Sequence, residues 1–121
     1  MNRPKFLALA LLVYSTPAAV VAQDDPGSAK WVIDGCRERI AGKPPSFIQG
    51  MCAGAIQTFI ALSERTSLHP QGAFCRPPDG TTGQAARAIA AYLDDNPSLG
   101  SYPFVWVAEA ALQKVWPCKS N

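Results

Sequence analysis

Four cysteines, Cys36, Cys52, Cys75 and Cys118, constrain this chain of 121 residues more than any other feature. An even cysteine count in a short exported chain reads as a disulfide framework. Small exported domains depend on such frameworks because their cores are limited. Cys75 opens a proline-stiffened loop, Phe74-Cys75-Arg76-Pro77-Pro78-Asp79-Gly80, which leads into Thr81-Thr82-Gly83-Gln84. Thr81 and Gln84 have the capping-box spacing of a helix start. There the hydroxyl accepts the N–H three residues on, and the amide side chain accepts the N–H of the cap. Cys118 follows two helical segments later, in Trp116-Pro117-Cys118. Cys75 and Cys118 therefore bracket a helix pair, which predicts a staple on a small secreted helical domain.

Export is read from the first residues. Arg3 and Lys5 form a positive start, Phe6 to Val13 is apolar, and Val20-Val21-Ala22 places small residues where a signal peptidase cuts. The expectation is a signal peptide over residues 1–22 and a mature domain over 23–121. The apolar run falls short of the ~20 residues that a spanning helix needs, so no membrane attachment is expected after cleavage. No cysteine stands at the cleavage point to carry lipid. Without Arg3 and Lys5, the 11 basic residues fall to the number of the 9 acidic ones. A near-neutral chain with no basic run argues against nucleic acid or an anionic membrane as partner. With no Cys-x-x-Cys and a single histidine, His69, no metal site or cofactor is expected.

Along the mature chain, apolar spacing predicts four helices. The first starts at Ser28, a usable N-cap, and runs to Ile40 or Ala41, where Gly42 stops it. Lys43-Pro44-Pro45 is a short, stiff connection. The second starts at Ser46, which repeats the capping-box spacing with Gln49. Phe47, Ile48, Met51, Cys52, Ala55, Ile56, Phe59, Ile60 and Leu62 make its apolar face wider than one stripe, which predicts the most buried, central helix. Gly50 and Gly54 on this helix are expected to pack tightly inside the bundle. Thr66 to Gly80 is a long loop pinned by Cys75. The third helix is expected over Thr82 to Leu93, ended by Asp94-Asp95-Asn96-Pro97. A polar connection holding Leu99 and Gly100 reaches Tyr102, and the fourth helix starts near Pro103 and ends before Pro117. No strand is expected. The fold class is all-α, a small four-helix bundle.

Four cysteines allow three pairings. Cys36 and Cys52 lie at similar distances from the turn at Lys43-Pro44, and Cys75 and Cys118 from the turn at Pro97. Antiparallel neighbours bring such positions together, which favours Cys36–Cys52 and Cys75–Cys118. Pairing of Cys36 with Cys75 or Cys118 stays open at this point.

Catalysis finds little support. His69 sits next to Pro70 with no acidic neighbour in sequence, and reads as a solvated loop residue. Asp94 and Asp95 are adjacent at a helix end, where two side chains do not converge on one substrate atom. Glu64 and Glu109 stand on different helices, and no glycine-rich phosphate loop follows a strand. Trp106 is displaced from the buried stripe of its helix, which predicts an exposed aromatic anchor for a protein partner. The chain reads as a binding protein, not an enzyme.

An ordered set of motifs carries a family resemblance: Phe47-x-x-Gly50-x-x-x-Gly54, Phe74-Cys75-x-Pro77, Thr82-x-Gln84, Tyr92-Leu93-x-x-Asn96-Pro97, Ala110-x-Leu112 and Trp116-Pro117-Cys118. From Cys36 to Cys118 the chain resembles the Rap/Tai family, periplasmic immunity proteins against type VI secretion amidase effectors. Two positions depart from the pattern: Met51-Cys52, where relatives often carry an aromatic residue after the glycine, and Trp116, where Phe is common. The resemblance implies a small helical periplasmic protein, often a homodimer, that blocks the cleft of a cysteine-dependent peptidoglycan amidase. Occlusion then needs a rigid loop. The first expectation is the stretch with Asp94, Asp95, Asn96, Leu99 and Tyr102, flanked by Trp106 and Arg87. The second is the disulfide-held stretch near Arg76. An alternative from another class is a periplasmic acid-stress chaperone, also small, helical and disulfide-bonded.

Overall fold

The computed structural model describes residues 25–65 and 74–119. The expected signal peptide and the loop segment with His69 and Pro70 lie outside the described residues. Four α-helices form: α1 (Ala29–Ile40), α2 (Phe47–Arg65), α3 (Thr82–Asp95) and α4 (Phe104–Val115), with a short 3-10 helix over Pro97–Ser101. Among the described residues no strand occurs, only isolated β-bridges between Ser28 and Pro103 and between Phe74 and Pro117. The fold is the expected all-α bundle.

Local chemistry explains the helix ends. Ser28 caps α1 by accepting the Trp31 N–H at 3.3 Å. Gly42 stops α1 with φ +68°, a left-handed conformation that costs glycine nothing. Ser46 accepts the Gln49 N–H, but the Gln49 amide does not complete the box. It donates instead to the Lys43 and Pro44 carbonyls, tying the proline turn to α2. At Thr81 and Gln84 the capping box is complete in both directions. α3 runs two residues past Leu93, to Asp95. Asn96 then ends it, its side-chain amide donating to the Tyr92 carbonyl.

Each helix contributes one fully buried large aliphatic side chain to the core. Ile33, Ile56, Ile89 and Leu112 are all less than 2% exposed. Burial of each contributes about 1.5–3 kcal/mol. Both favoured disulfides form, Cys36–Cys52 inside this core and Cys75–Cys118 at its exposed edge. They close loops of 16 and 43 residues, which in the loop-entropy account contributes about 3 and 4 kcal/mol. Beside the second disulfide, the Cys75 N–H donates to the Trp116 carbonyl at 2.7 Å. Phe59, Phe74 and Trp116 form a chain of ring contacts that joins α2 to this edge, and Phe59 also meets Phe104 edge-on at 6.4 Å.

The expectation for α2 is overturned. The central helix is α1, which packs against α2, α3, α4 and the 3-10 helix. α2 lies on one side of it and buries a single arc, Cys52, Ile56 and Ile60. On the opposite arc Phe47 is 76% exposed and Met51 and Leu62 are exposed too. The expected tight packing at Gly50 and Gly54 is also overturned, because a Cβ at either would meet nothing within 4 Å. The glycine at the close approach is Gly35 of α1, where a Cβ would collide with the Ile48 carbonyl of α2. Gly54→Ala is therefore expected to stabilise the isolated chain by about 0.5–1 kcal/mol through helix propensity alone. Gly35→Ala should cost about 1–3 kcal/mol by forcing α1 and α2 apart. Urea midpoints of the oxidised protein at submicromolar concentration check both signs.

Candidate functional site

The connection between α3 and α4 is not a loose loop. Its 3-10 helix is closed by donation from the Leu99 N–H to the Asn96 carbonyl and from the Tyr102 N–H to the Leu99 carbonyl, both at 3.0 Å. It and the adjoining end of α3 are then fastened to α1 in three ways. The Tyr102 carbonyl accepts the Ala29 N–H at 2.8 Å. Gly100 lies against the Lys30 side chain, where a Cβ would come within 3.2 Å of the Lys30 Cβ. Arg37 of α1 pairs with Asp94 at 2.5 Å and with Asp34 at 2.9 Å, and Lys30 also pairs with Asp34. One further bond holds the α4 start, the Phe104 N–H donating to the Gly27 carbonyl at 2.9 Å.

These fastenings present a defined surface. Asp94, Asp95, Ser98, Tyr102, Val105 and Trp106 are exposed at this end. Trp106 is 62% exposed, and its ring lies 6.4 Å from that of Tyr102. Large aromatic side chains usually bury most of their area, so two exposed neighbours on a braced turn form an apolar contact surface. The residues predicted for this site divide by role. Asp95, Tyr102 and Trp106 face outward. Asn96 is half-buried and uses its amide on the end of α3, and Leu99 packs against the core. Those two build the turn. Val105 escaped the sequence reading although it is exposed beside Trp106, because apolar residues in a helix read as core by default.

Arg87 and Arg76 belong elsewhere. Arg87 lies on the same side of α3 as Asp94 but two turns back, roughly 10 Å away, and lines a separate cavity with Arg39. Arg76 braces the Cys75 loop, its Nε donating to Glu64 of α2 at 2.6 Å and its Nη1 to the Gly80 carbonyl at 3.1 Å. Among the described residues no cluster of three or more histidine, cysteine or acidic side chains is placed to hold a metal ion. All four thiols are in disulfides.

The chain is thus a disulfide-clamped helical protein with an aromatic-bearing, ion-paired turn at one end. It belongs to the family of Rap1a immunity proteins, whose family model matches residues 28–118, from the cap of α1 to the last cysteine. Membership assigns an immunity-type role, exerted on a partner effector protein. No curated protein and no solved structure matches the chain significantly.

The ion pair between Arg37 and Asp94 is exposed, with 38% and 66% of the side chains open to solvent, so its contribution to global stability is below ~1 kcal/mol. Its effect is local. Arg37→Ala is expected to leave the melting behaviour nearly unchanged. The same change should speed hydrogen exchange at the Leu99 and Tyr102 amides about two- to fivefold, the factor that roughly 0.5–1 kcal/mol of local opening supplies.

Proposed function

We propose that this protein is exported, loses its signal peptide after Ala22 and works in the periplasm. There it binds a type VI secretion peptidoglycan amidase and closes that enzyme's cleft. The observation that carries the reading is the exposed pair of Tyr102, on a turn already fastened to α1, and Trp106, in the first turn of α4 beside it. A surface ordered before binding loses little conformational entropy when it docks, so the area buried under the two rings converts efficiently into affinity. Aromatic anchors of this kind dominate the energetics of protein interfaces. The exposed carboxylates of Asp94 and Asp95 supply a polar rim beside them. Family membership and two disulfides support the compartment and the role, and no described helix is long and apolar enough to cross a membrane. The protein performs no chemistry in this scheme; it excludes the peptidoglycan stem from the amidase.

Trp106→Ala is expected to raise the inhibition constant against the cognate amidase about thirtyfold, the equivalent of ~2 kcal/mol. The assay is peptidoglycan hydrolysis at increasing inhibitor. Circular dichroism of the variant should match the wild type, since Trp106 makes no buried contact. Full inhibition by a folded variant would remove this end of the molecule from the interface.

The same reading includes a homodimer through α2. On its outer arc Phe47, Gly50, Met51, Gly54 and Leu62 are exposed and uncharged, and the two glycines leave open space for a second helix to approach. A twofold contact brings like residues together, which these uncharged residues tolerate. Sedimentation equilibrium should give the mass of two chains at micromolar concentration. Met51→Glu with Gly54→Leu should give one. A monomeric wild type would end the dimer proposal and leave the inhibition proposal untouched.

A further inference from the structure

Two arginines serve neither the turn between α3 and α4 nor the Cys75 loop. Arg39, in the last turn of α1, and Arg87, in α3, share a cavity of about 280 Å³ between α1, α2 and the start of α3. Its floor is the Cys36–Cys52 disulfide with Ala53 and Ala86, and Gln57 stands at its side. No carboxylate lines it. Arg37 and Arg76 each have an acidic partner. Arg39 and Arg87 have none among the described residues, and neither donates a hydrogen bond there.

The cavity also receives the first turn of α3. The capping box occupies the N–H groups of Thr81 and Gln84. Those of Thr82 and Gly83, both of which line the cavity, are left to an external acceptor. The first turn carries no acidic side chain to offset the helix dipole. Two exposed guanidinium groups and two backbone donors therefore line one partly apolar space whose lining holds no counter-charge. A carboxylate on a short alkyl stem fits this chemistry. Its oxygens meet the planar forks of the arginines, and its methylenes meet Ala53, Ala86 and the sulfur atoms.

Gln57 and Thr82 also line a second, shallower hollow with Ile60, Ala61, Glu64 and Arg76. There Arg76 is already neutralised by Glu64, so the second hollow has no net call for an anion. A charged pocket that shares a wall with a neutral, half-apolar hollow suits an extended peptide with one acidic residue better than a free ion.

We propose that this cavity binds an aspartate or glutamate side chain of a partner protein, held between Arg39 and Arg87, with the flanking chain lying along the groove between α2 and α3. The proposal rests on the reading of this protein as a binder of an effector protein. It adds a second contact surface, distinct from the turn bearing Trp106.

The test uses blocked five-residue alanine peptides with a central glutamate or a central glutamine, and inorganic phosphate as a third probe. Each is titrated into the oxidised, isotope-labelled protein to 20 mM and followed by proton–nitrogen correlation spectra. The glutamate peptide should shift the Thr82, Gly83 and Ala86 amides saturably. The glutamine peptide should bind at least tenfold more weakly. Arg39→Gln with Arg87→Gln should abolish the response while spectral dispersion elsewhere is kept, and each single change should weaken it. Equal responses to both peptides, or none at the α3 start, would overturn the proposal. Phosphate binding as tightly as the glutamate peptide would overturn the assignment to a protein carboxylate. No effector is present in this assay, so its failure is separable from failure of the inhibition reading. Against the amidase, the double variant should weaken inhibition at least tenfold if the effector supplies the carboxylate.

Discussion

The structure depends on how closely α1 and α2 approach. Gly35 has no side chain where the Ile48 carbonyl passes, and the next residue, Cys36, is bonded to Cys52 with its Cα only 5.3 Å away. Two helices held this near exclude bulky side chains from the seam. They leave Ile33 and Ile56 to fill the core beside it, where Ile89 and Leu112 meet them. Because α1 is fixed against α2, its other sides are free to carry α3, α4 and the 3-10 helix. The turn between α3 and α4 thus inherits its position from a contact on the far side of the central helix. Arg37, one residue past Cys36, reaches from that fixed backbone to Asp94.

Much of this architecture is legible in the residues. Ser28, Thr81, Gln84, Gly42 and Asn96 act through local hydrogen bonds and backbone preference, which need no knowledge of the tertiary fold. The hairpin symmetry that pairs the cysteines is equally local. The burial of α2 is not legible from its composition, because its apolar residues cover more than half of the circumference and period alone cannot choose an arc. A signal was nevertheless available. A disulfide to α1 requires Cys52 to face inward, and Ile56 and Ile60 follow it at intervals of four. Phe47, Met51 and Gly54 then fall on the opposite side. The glycines follow the same logic: Gly50 and Gly54 have the familiar spacing, yet Gly35, alone in its helix, makes the contact.

The candidate surface divides in the same way. Trp106 is recognisable because it breaks the stripe of its own helix, and it is exposed as expected. Leu99 and Asn96 look like loop contacts in sequence but are consumed in building the turn. Arg39 gives no warning at all. A cation in the last turn of a helix is the ordinary complement to the helix dipole, so only the cavity shared with Arg87 distinguishes it.

The two sulfur bridges also determine how this molecule responds to a protease. Each converts a helical hairpin into a covalent ring, one closed at Cys36 and Cys52 and the other at Cys75 and Cys118. A single backbone cut inside either ring, including one in the turn between α3 and α4, opens that ring but leaves one connected chain. A single cut between Cys52 and Cys75 yields two covalent pieces, each with its ring intact and joined to the other only by the core. Resistance to a protease that cuts once then rests on how well that one stretch is shielded.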